Sequence, residues 1–169
     1  MNSNFPLDFW QGYNVVNCDI DEKRKLLTIS LSPDPEVIPR CSCCGRDCHS
    51  IHDKAERTIR DCTCFEYRTS LKVICRRVNC PNCGHKQEQI SWLPKHSHLT
   101  ERLVSFVEKL CRILPISHIA SLVGLHWETV KNIDKKRLMR EVGEIDFTNT
   151  TRLVMDEFAI RKGHRYATV

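Results

Sequence analysis

The order of apolar and polar positions divides the chain into a β-rich half and a helical half. Residues 13–20 and 26–31 are rich in Val, Ile, Leu and Thr and flank the polar run Asp21-Glu22-Lys23-Arg24, which predicts a β-hairpin. Ser32-Pro33-Asp34-Pro35 then breaks the chain. Farther on, Tyr67, Thr69, Leu71, Val73 and Cys75 alternate with Arg68, Ser70, Lys72, Ile74 and Arg76. A period of two marks a strand with one buried face, and here the other face is basic, interrupted by Ile74. Residues 55–61 are its expected partner.

From Thr100 the period lengthens to nearly four. Thr100 can N-cap a helix whose apolar face is Leu103, Val104, Val107, Leu110 and Cys111, ending near Leu114-Pro115. Residues 116–133 then read as a helix-turn-helix. Ala120 is small where two helices cross closely, and Gly124 accepts the positive φ of the tight turn. Ile119, Val123, Leu125, Val130 and Ile133 supply a shared core. Two short amphipathic helices joined by glycine are common, but here the small residue, the glycine and the apolar positions all agree.

Cysteine adds chemistry to this frame. Cys41-Ser42-Cys43-Cys44-Gly45 and Cys80-Pro81-Asn82-Cys83-Gly84 are two knuckles separated by 35 residues, Gly45 to Asn79. Four thiolates in two such pairs suit tetrahedral zinc, and the following glycine suits the turn that aims backbone N–H groups at sulfur. Two knuckles bracketing a hairpin describe a zinc ribbon, with Cys41, Cys44, Cys80 and Cys83 holding a structural Zn2+. Cys43, Cys75, the Cys62-Thr63-Cys64 pair, His49, His52 and His85 are the alternative donors, while Cys18 and Cys111 read as small buried hydrophobes. The 11 Cys are odd in number, and no basic segment followed by an apolar run precedes Trp10. A reduced, cytoplasmic, metal-binding protein is expected rather than a disulfide scaffold. No stretch is apolar for long enough to span a membrane.

Charge then points to a partner. The net charge of +5 is unevenly spread. Residues 1–39 carry three basic and six acidic side chains, residues 40–100 eleven and six, and residues 101–141 eight and five. Positive charge on the Cys-rich region and on the helices after it favours a polyanion. If the helix-turn-helix binds double-stranded DNA, then His126, Glu128, Thr129, Lys131 and Asn132 lie on or near the exposed start of the recognition helix, where base edges are reached. Asn132 suits adenine and Lys131 suits guanine. Lys135, Lys136, Arg137 and Arg140 are placed for phosphates, or form a solvated face.

The C-terminal residues extend the picture. Residues 151–169 read as a buried strand ending in a carboxylate at Asp156, a short basic turn, and the start of a second strand. Together with the knuckles and the helix-turn-helix, this segment resembles the opening of the catalytic domain in insertion-sequence transposases of the ISL-three family. The resemblance covers residues 13–169 and is most specific at Asp156-Glu157-Phe158-Ala159 followed by Lys162-Gly163-His164 and Tyr166. It implies a zinc ribbon, a helix-turn-helix and an RNase H-like DDE domain in that order. The implied fold is α+β: a small β-rich ribbon, an all-α helix-turn-helix, and the first strands of an incomplete RNase H-like domain. Four segments follow from it: an N-terminal hairpin segment at 1–39, the ribbon at 40–95, the helix-turn-helix domain at 96–142, and the start of the catalytic domain at 143–169.

The resemblance also implies that Asp156 is the first metal-binding Asp of the triad, that Cys41, Cys44, Cys80 and Cys83 are the zinc ligands, and that residues 116–140 bind DNA. Lys162, Gly163, His164 and Tyr166 match the motif without an assignable role. The implied partners are the terminal inverted repeats of an insertion sequence and full-length transposase, at the bacterial nucleoid. DDE chemistry needs carboxylates from distant parts of a domain to hold two Mg2+ ions, so magnesium is expected only for an intact catalytic domain. The second Asp and the Glu are expected beyond Val169. Glu157 does not replace them, because strand neighbours point to opposite faces. This chain is therefore expected to be an amino-terminal fragment that binds DNA without cutting it. The competing expectation is a stand-alone zinc-ribbon and helix-turn-helix transcriptional regulator.

Overall fold

The computed structural model describes residues 9–144, 148, 151, 152, 154, 157–161 and 165–168. The expected N-terminal hairpin is present as β1 (Tyr13–Asp21) and β2 (Leu26–Pro33), which pair antiparallel. The expected strand pair follows as β3 (Ile51–Arg60) and β4 (Arg68–Cys80), also antiparallel. A short β5 (Gly84–Gln87) folds back on the end of β4. One connection is not local: β2 pairs in parallel with the first half of β4, Leu27 opposite Thr69 and Leu31 opposite Val73. The hairpin and the strands between the knuckles therefore form one five-stranded sheet, ordered β1-β2-β4-β3 with β5 on β4.

β4 buries opposite faces at its two ends. Thr69, Leu71, Val73 and Cys75 are buried in its first half, and Leu71, Val73 and Cys75 join Leu31, Ile59, Ile90 and Leu93 in a core. Past Cys75 the phase switches, and Arg76, Val78 and Cys80 are the buried residues. Val78 and Cys80 pack with Cys41 and Cys48 in a second, smaller core. The switch overturns one expectation. Arg76 does not belong to a basic outer face: it is buried, its Nε 2.7 Å from the equally buried Glu88 carboxylate. Glu88 also accepts from the Arg76 backbone N–H at 2.7 Å and from the Tyr13 hydroxyl at 2.8 Å, and Arg76 donates to the Val37 carbonyl. A buried guanidinium is tolerable only with this degree of pairing.

The helical half starts where expected. The Thr100 side chain accepts from the Leu103 N–H and caps α1 (Glu101–Leu110), which ends at Cys111, a few residues short of the expected Leu114. α2 (Ile116–Val123) closes on Gly124 at φ 63°, and α3 (Trp127–Val142) follows. Leu103, Val107, Ile119, Ala120, Val123, Val130 and Ile133 form their common core, with Leu125 at its edge. β6 (Glu157–Arg161) and β7 (Arg165–Thr168) pair antiparallel in a sheet of their own. The chain divides into two units, Met1–Arg137 and Leu138–Val169. Among the described residues, no helix is long and apolar enough to cross a membrane.

Within the first unit the sheet and helices are fastened by Asp61, at the end of β3. Its carboxylate is buried and accepts from Trp10 Nε1 at 3.1 Å, the Cys62 N–H at 2.8 Å, Thr100 Oγ1 at 2.7 Å and Arg102 Nε at 2.6 Å. Arg102 also lies over the Phe9 and Trp10 rings, at 4.5 and 5.0 Å from their centroids. Backbone bonds from Arg60 N–H to the His98 carbonyl and from Thr100 N–H to the Arg60 carbonyl complete the junction.

Candidate metal centre and nucleic-acid interface

The first knuckle lies in the turn that follows Pro39. Cys41 N–H donates to the Arg46 carbonyl, Gly45 N–H to the Cys41 carbonyl, and Cys48 N–H to the Pro39 carbonyl. The second knuckle is the turn between β4 and β5, where Cys80 lies opposite Gly84. Gly45 and Gly84 adopt φ of 71° and 68°, the left-handed conformation that closes both turns. Ser42 N–H to the Gln87 carbonyl and Gln89 N–H to the Arg40 carbonyl hold the first turn beside the second.

This arrangement brings Cys41, Cys44, Cys80 and Cys83 together. Their Sγ atoms all lie within 4.8 Å of one another, and Cys44 and Cys80 are 3.5 Å apart. A tetrahedral zinc with Zn–S bonds of about 2.3 Å needs S–S edges of roughly 3.8 Å, so the donor set fits the ion in number, element and spacing. Among the described residues it is the one His, Cys, Asp and Glu group of this kind. The Cys43 N–H donates to Cys41 Sγ at 3.4 Å. Burial raises the Cys80 thiol, but the backbone N–H groups of Asn82 and Cys83 and the thiols of Cys44 and Cys41 outweigh it and bring it to about 6. Cys83 is pushed up, chiefly by sharing a hydrogen bond with Cys44. Four thiols at this spacing can hold a metal ion such as zinc.

Of the alternative donors only Cys43 lies beside the cluster, in hydrogen-bonding reach of the Cys83 thiol, and it is not one of the four thiols that come together. Cys75 is buried in the sheet core, Cys62 and Cys111 are half-buried, and Cys43 and Cys64 are exposed. Cys111 packs against the helical core as expected, whereas Cys18 is exposed and not a buried hydrophobe. His52 and His85 stack on each other at 4.1 Å between ring centroids, with His85 Nδ1 2.6 Å from Asn79 Oδ1. The residue that sequence reasoning missed is Cys48. It is buried against Cys41 and Cys80, and its thiol donates to the Arg46 carbonyl at 3.4 Å. Its spacing from the knuckle carries no ligand signature, and only the fold puts it there.

The helix-turn-helix is built on Gly124. A Cβ at this position would lie 2.7 Å from Arg68 Cδ, so the turn packs directly on the start of β4. Arg60 Nη2 donates to the Val123 carbonyl at 3.4 Å, at the C-terminal end of α2 where carbonyls lack helical partners. On α3, Val130, Ile133 and Arg137 face inward. His126, Glu128, Lys131, Asn132, Lys135, Lys136 and Arg140 are exposed, and Thr129 is half-buried. Lys131 Nζ lies 5.5 Å from the centroid of the exposed Trp127 ring. One sequence expectation fails here: Arg137 is buried and paired with Asp134 at 2.7 Å, turned from any phosphate. Asp156, with Lys162, Gly163 and His164, lies outside the described residues, and for Tyr166 only the backbone in β7 is described.

A sheet that ends in four thiols able to hold a metal ion, fastened to three helices of which α3 is exposed and cationic, fits the framework of a nucleic-acid-binding module. Residues 88–138 match the helix-turn-helix domain of transposase family ISL3. The chain is 40% identical over 162 residues to the transposase for insertion sequence element IS1001 from Bordetella parapertussis, covering 95% of this chain and 40% of that protein. It is 29% identical over 140 residues to the transposase for insertion sequence element IS1557 from Mycobacterium tuberculosis, covering 81% of this chain and 31% of that protein. No solved structure matches. These findings support an ISL3-type insertion-sequence transposase, the resemblance read from the sequence, and the chain spans less than half the length of these relatives.

Proposed function

We propose that this chain is the DNA-binding amino-terminal part of an insertion-sequence transposase and that it recognises the terminal inverted repeats of its own element. The observation that supports this most is the exposed face of α3, carrying Lys131, Asn132, Lys135 and Lys136 beyond a turn clamped on the sheet, in a segment that matches a transposase helix-turn-helix. In this reading Cys41, Cys44, Cys80 and Cys83 hold a structural Zn2+ in a ribbon spanning residues 40–95. His126, Glu128, Thr129, Lys131 and Asn132 reach base edges, while Lys135, Lys136 and Arg140 meet phosphates. Residues 96–142 are the helix-turn-helix domain. Residues 143–169 open an RNase H-like domain in which Asp156 contributes the first carboxylate for Mg2+, and the strand cleavage and joining of the intact enzyme occur there. The site of action is the bacterial cytoplasm, at the nucleoid, where this module and full-length transposase share the same ends.

Selection from a random pool of duplexes with the zinc-loaded chain tests the reading. The enriched sequence is expected to match the inverted repeats flanking the element that encodes the chain. Enrichment of a promoter sequence unrelated to those ends would favour a transcriptional regulator instead.

A further inference from the structure

Residues 61–67 form a hairpin end beside the helix-turn-helix. Cys64 and Tyr67 exchange backbone hydrogen bonds of 3.0 and 2.9 Å around a two-residue loop, Phe65-Glu66. Phe65 adopts φ 52°, a conformation that favours glycine, and is 95% exposed. A non-glycine residue in the left-handed region is strained, and a phenyl ring in water gains nothing from burial. The positive φ closes the two-residue loop, whereas the exposed ring adds no burial to the fold. The loop nevertheless lies against the recognition module, because Thr63, Phe65, Glu66 and Arg68 line one groove of about 540 Å³ with Leu122, Val123 and Gly124.

The strands behind this tip carry charge. Arg60 lies opposite Ser70, Thr58 opposite Lys72, Leu26 opposite Arg68, Thr28 opposite Ser70 and Ser30 opposite Lys72. Arg60, Arg68 and Lys72, on the neighbouring strands β3 and β4, therefore form a strip with four hydroxyl side chains on the side away from the core. The strip is bounded by Asp19 and Asp21 on the outer strand β1 and by Glu56 opposite Ile74. Much of the nearby acid is already neutralised. Asp47 pairs with Arg40, Asp53 with Arg77, Asp61 with Arg102, Glu66 with Lys25 and Glu88 with Arg76. The positive excess of residues 40–100 is thus left on groups such as the exposed Arg68 and Lys72, on a face that runs into the turn before α3.

We infer that the end of the β3–β4 hairpin is a wing that grips the same DNA duplex, next to the base pairs met by α3. Lys72, Arg68 and the Ser and Thr hydroxyls contact the flanking phosphate backbone, and Phe65 enters the adjacent minor groove as an apolar wedge. The occupant is double-stranded DNA, because a cationic, hydroxyl-rich strip that meets the turn leading into α3 is complementary to a phosphate backbone. This inference rests on the reading that α3 binds DNA.

The test measures anisotropy with the zinc-loaded full chain and two duplexes carrying the sequence it selects. One duplex ends at the edge of the α3 site, and the other adds about ten flanking base pairs on each side, one helical turn. Lys72→Glu and Phe65→Ser are expected to weaken the flanked duplex roughly fivefold or more, with the salt slope falling by about one for Lys72→Glu. Lys72→Arg should restore wild-type binding, and the short duplex should bind all of them alike. Unchanged affinity of Lys72→Glu for the flanked duplex, with normal zinc content, would overturn the wing. Self-association that Phe65→Ser abolishes while DNA binding stays intact would overturn it too, by making the tip a contact between proteins. Failure of the underlying reading looks different: Lys131→Ala and Asn132→Ala would bind both duplexes as wild type does.

Discussion

Asp61 collects hydrogen bonds from three separate stretches of chain, at Trp10, at Cys62 and at Thr100 with Arg102. Burial by itself would raise its pKa, but hydrogen bonds from Arg102 and Thr100 and the Arg102 charge outweigh that, and the carboxyl titrates below its ordinary value. The sign of the pH dependence follows. A depressed folded value stabilises the protein fully above the unfolded value of about 3.9, and that stabilisation is lost as pH falls through the folded value. Asp61→Asn is expected to lower stability at pH 7 by about 2–3 kcal/mol, less than a fully buried pair because the Arg102 side chain is 33% exposed. In urea titrations the gap between wild type and variant should narrow as pH drops below about 4. A gap that stayed constant from neutral pH to pH 2 would mean that the carboxylate charge does not stabilise the junction. Arg76 and Arg137 belong to the same scale: each is a cation that its own stretch of sequence assigns to the surface and that a carboxylate holds inside.

At the scale of the element, α3 divides its cations between two tasks. The inward stripe of Val130, Ile133 and Arg137 repeats at three and four residues, so Lys131, Asn132, Lys135 and Lys136 are left outward. Asn132 lies in the first half of the helix and Lys136 one turn later. Asn132→Ala should reduce discrimination between selected and random duplexes by roughly 1–3 kcal/mol, whereas Lys136→Ala should weaken both equally. Competition titrations at two salt concentrations separate these outcomes. An equal loss for selected and random duplexes in Asn132→Ala would remove its base-reading role. β4 is the other element with two tasks, since one half builds the sheet core and the other delivers Cys80 to the thiol cluster.

Across the first unit three cores follow one another: the thiol cluster with Val78, the sheet interior, and the helical bundle. The cluster core has few apolar members, so folding of that end is expected to depend on a metal held by the four thiols. The helical core has seven buried members of its own. Chelation should therefore release amide protection in residues 40–50 and 78–89 while residues 99–137 stay protected, as read by hydrogen exchange. Cys83→Ser should reproduce the pattern without chelator. Global loss of protection on chelation would show that the metal holds the whole unit, and full zinc retention in Cys83→Ser would exclude this ligand set.

Local sequence determined the features that depend on neighbours within a turn or a pleat. Alternation marked β4, a near-four period marked α1, and Thr100 and Gly124 marked a helix start and a helix stop. Cys-x-x-Cys-Gly spacing marked four donors that the fold does bring within 4.8 Å. These features were legible because backbone preference and one-sided burial are properties of consecutive residues. What the tertiary structure decided depends on partners far along the chain. The parallel pairing of β2 with β4 joins strands separated by a knuckle and β3, and no period in either strand encodes it. Arg76 is buried because Glu88 and Val37 meet it, and Cys48 reaches the thiols because Pro39 holds its backbone. Asp61 is a buried hub because Thr100 and Arg102, 39 and 41 residues away, arrive beside it. A charged side chain enters a core only where desolvation is offset by groups converging on it, and that convergence exists only once the chain has folded.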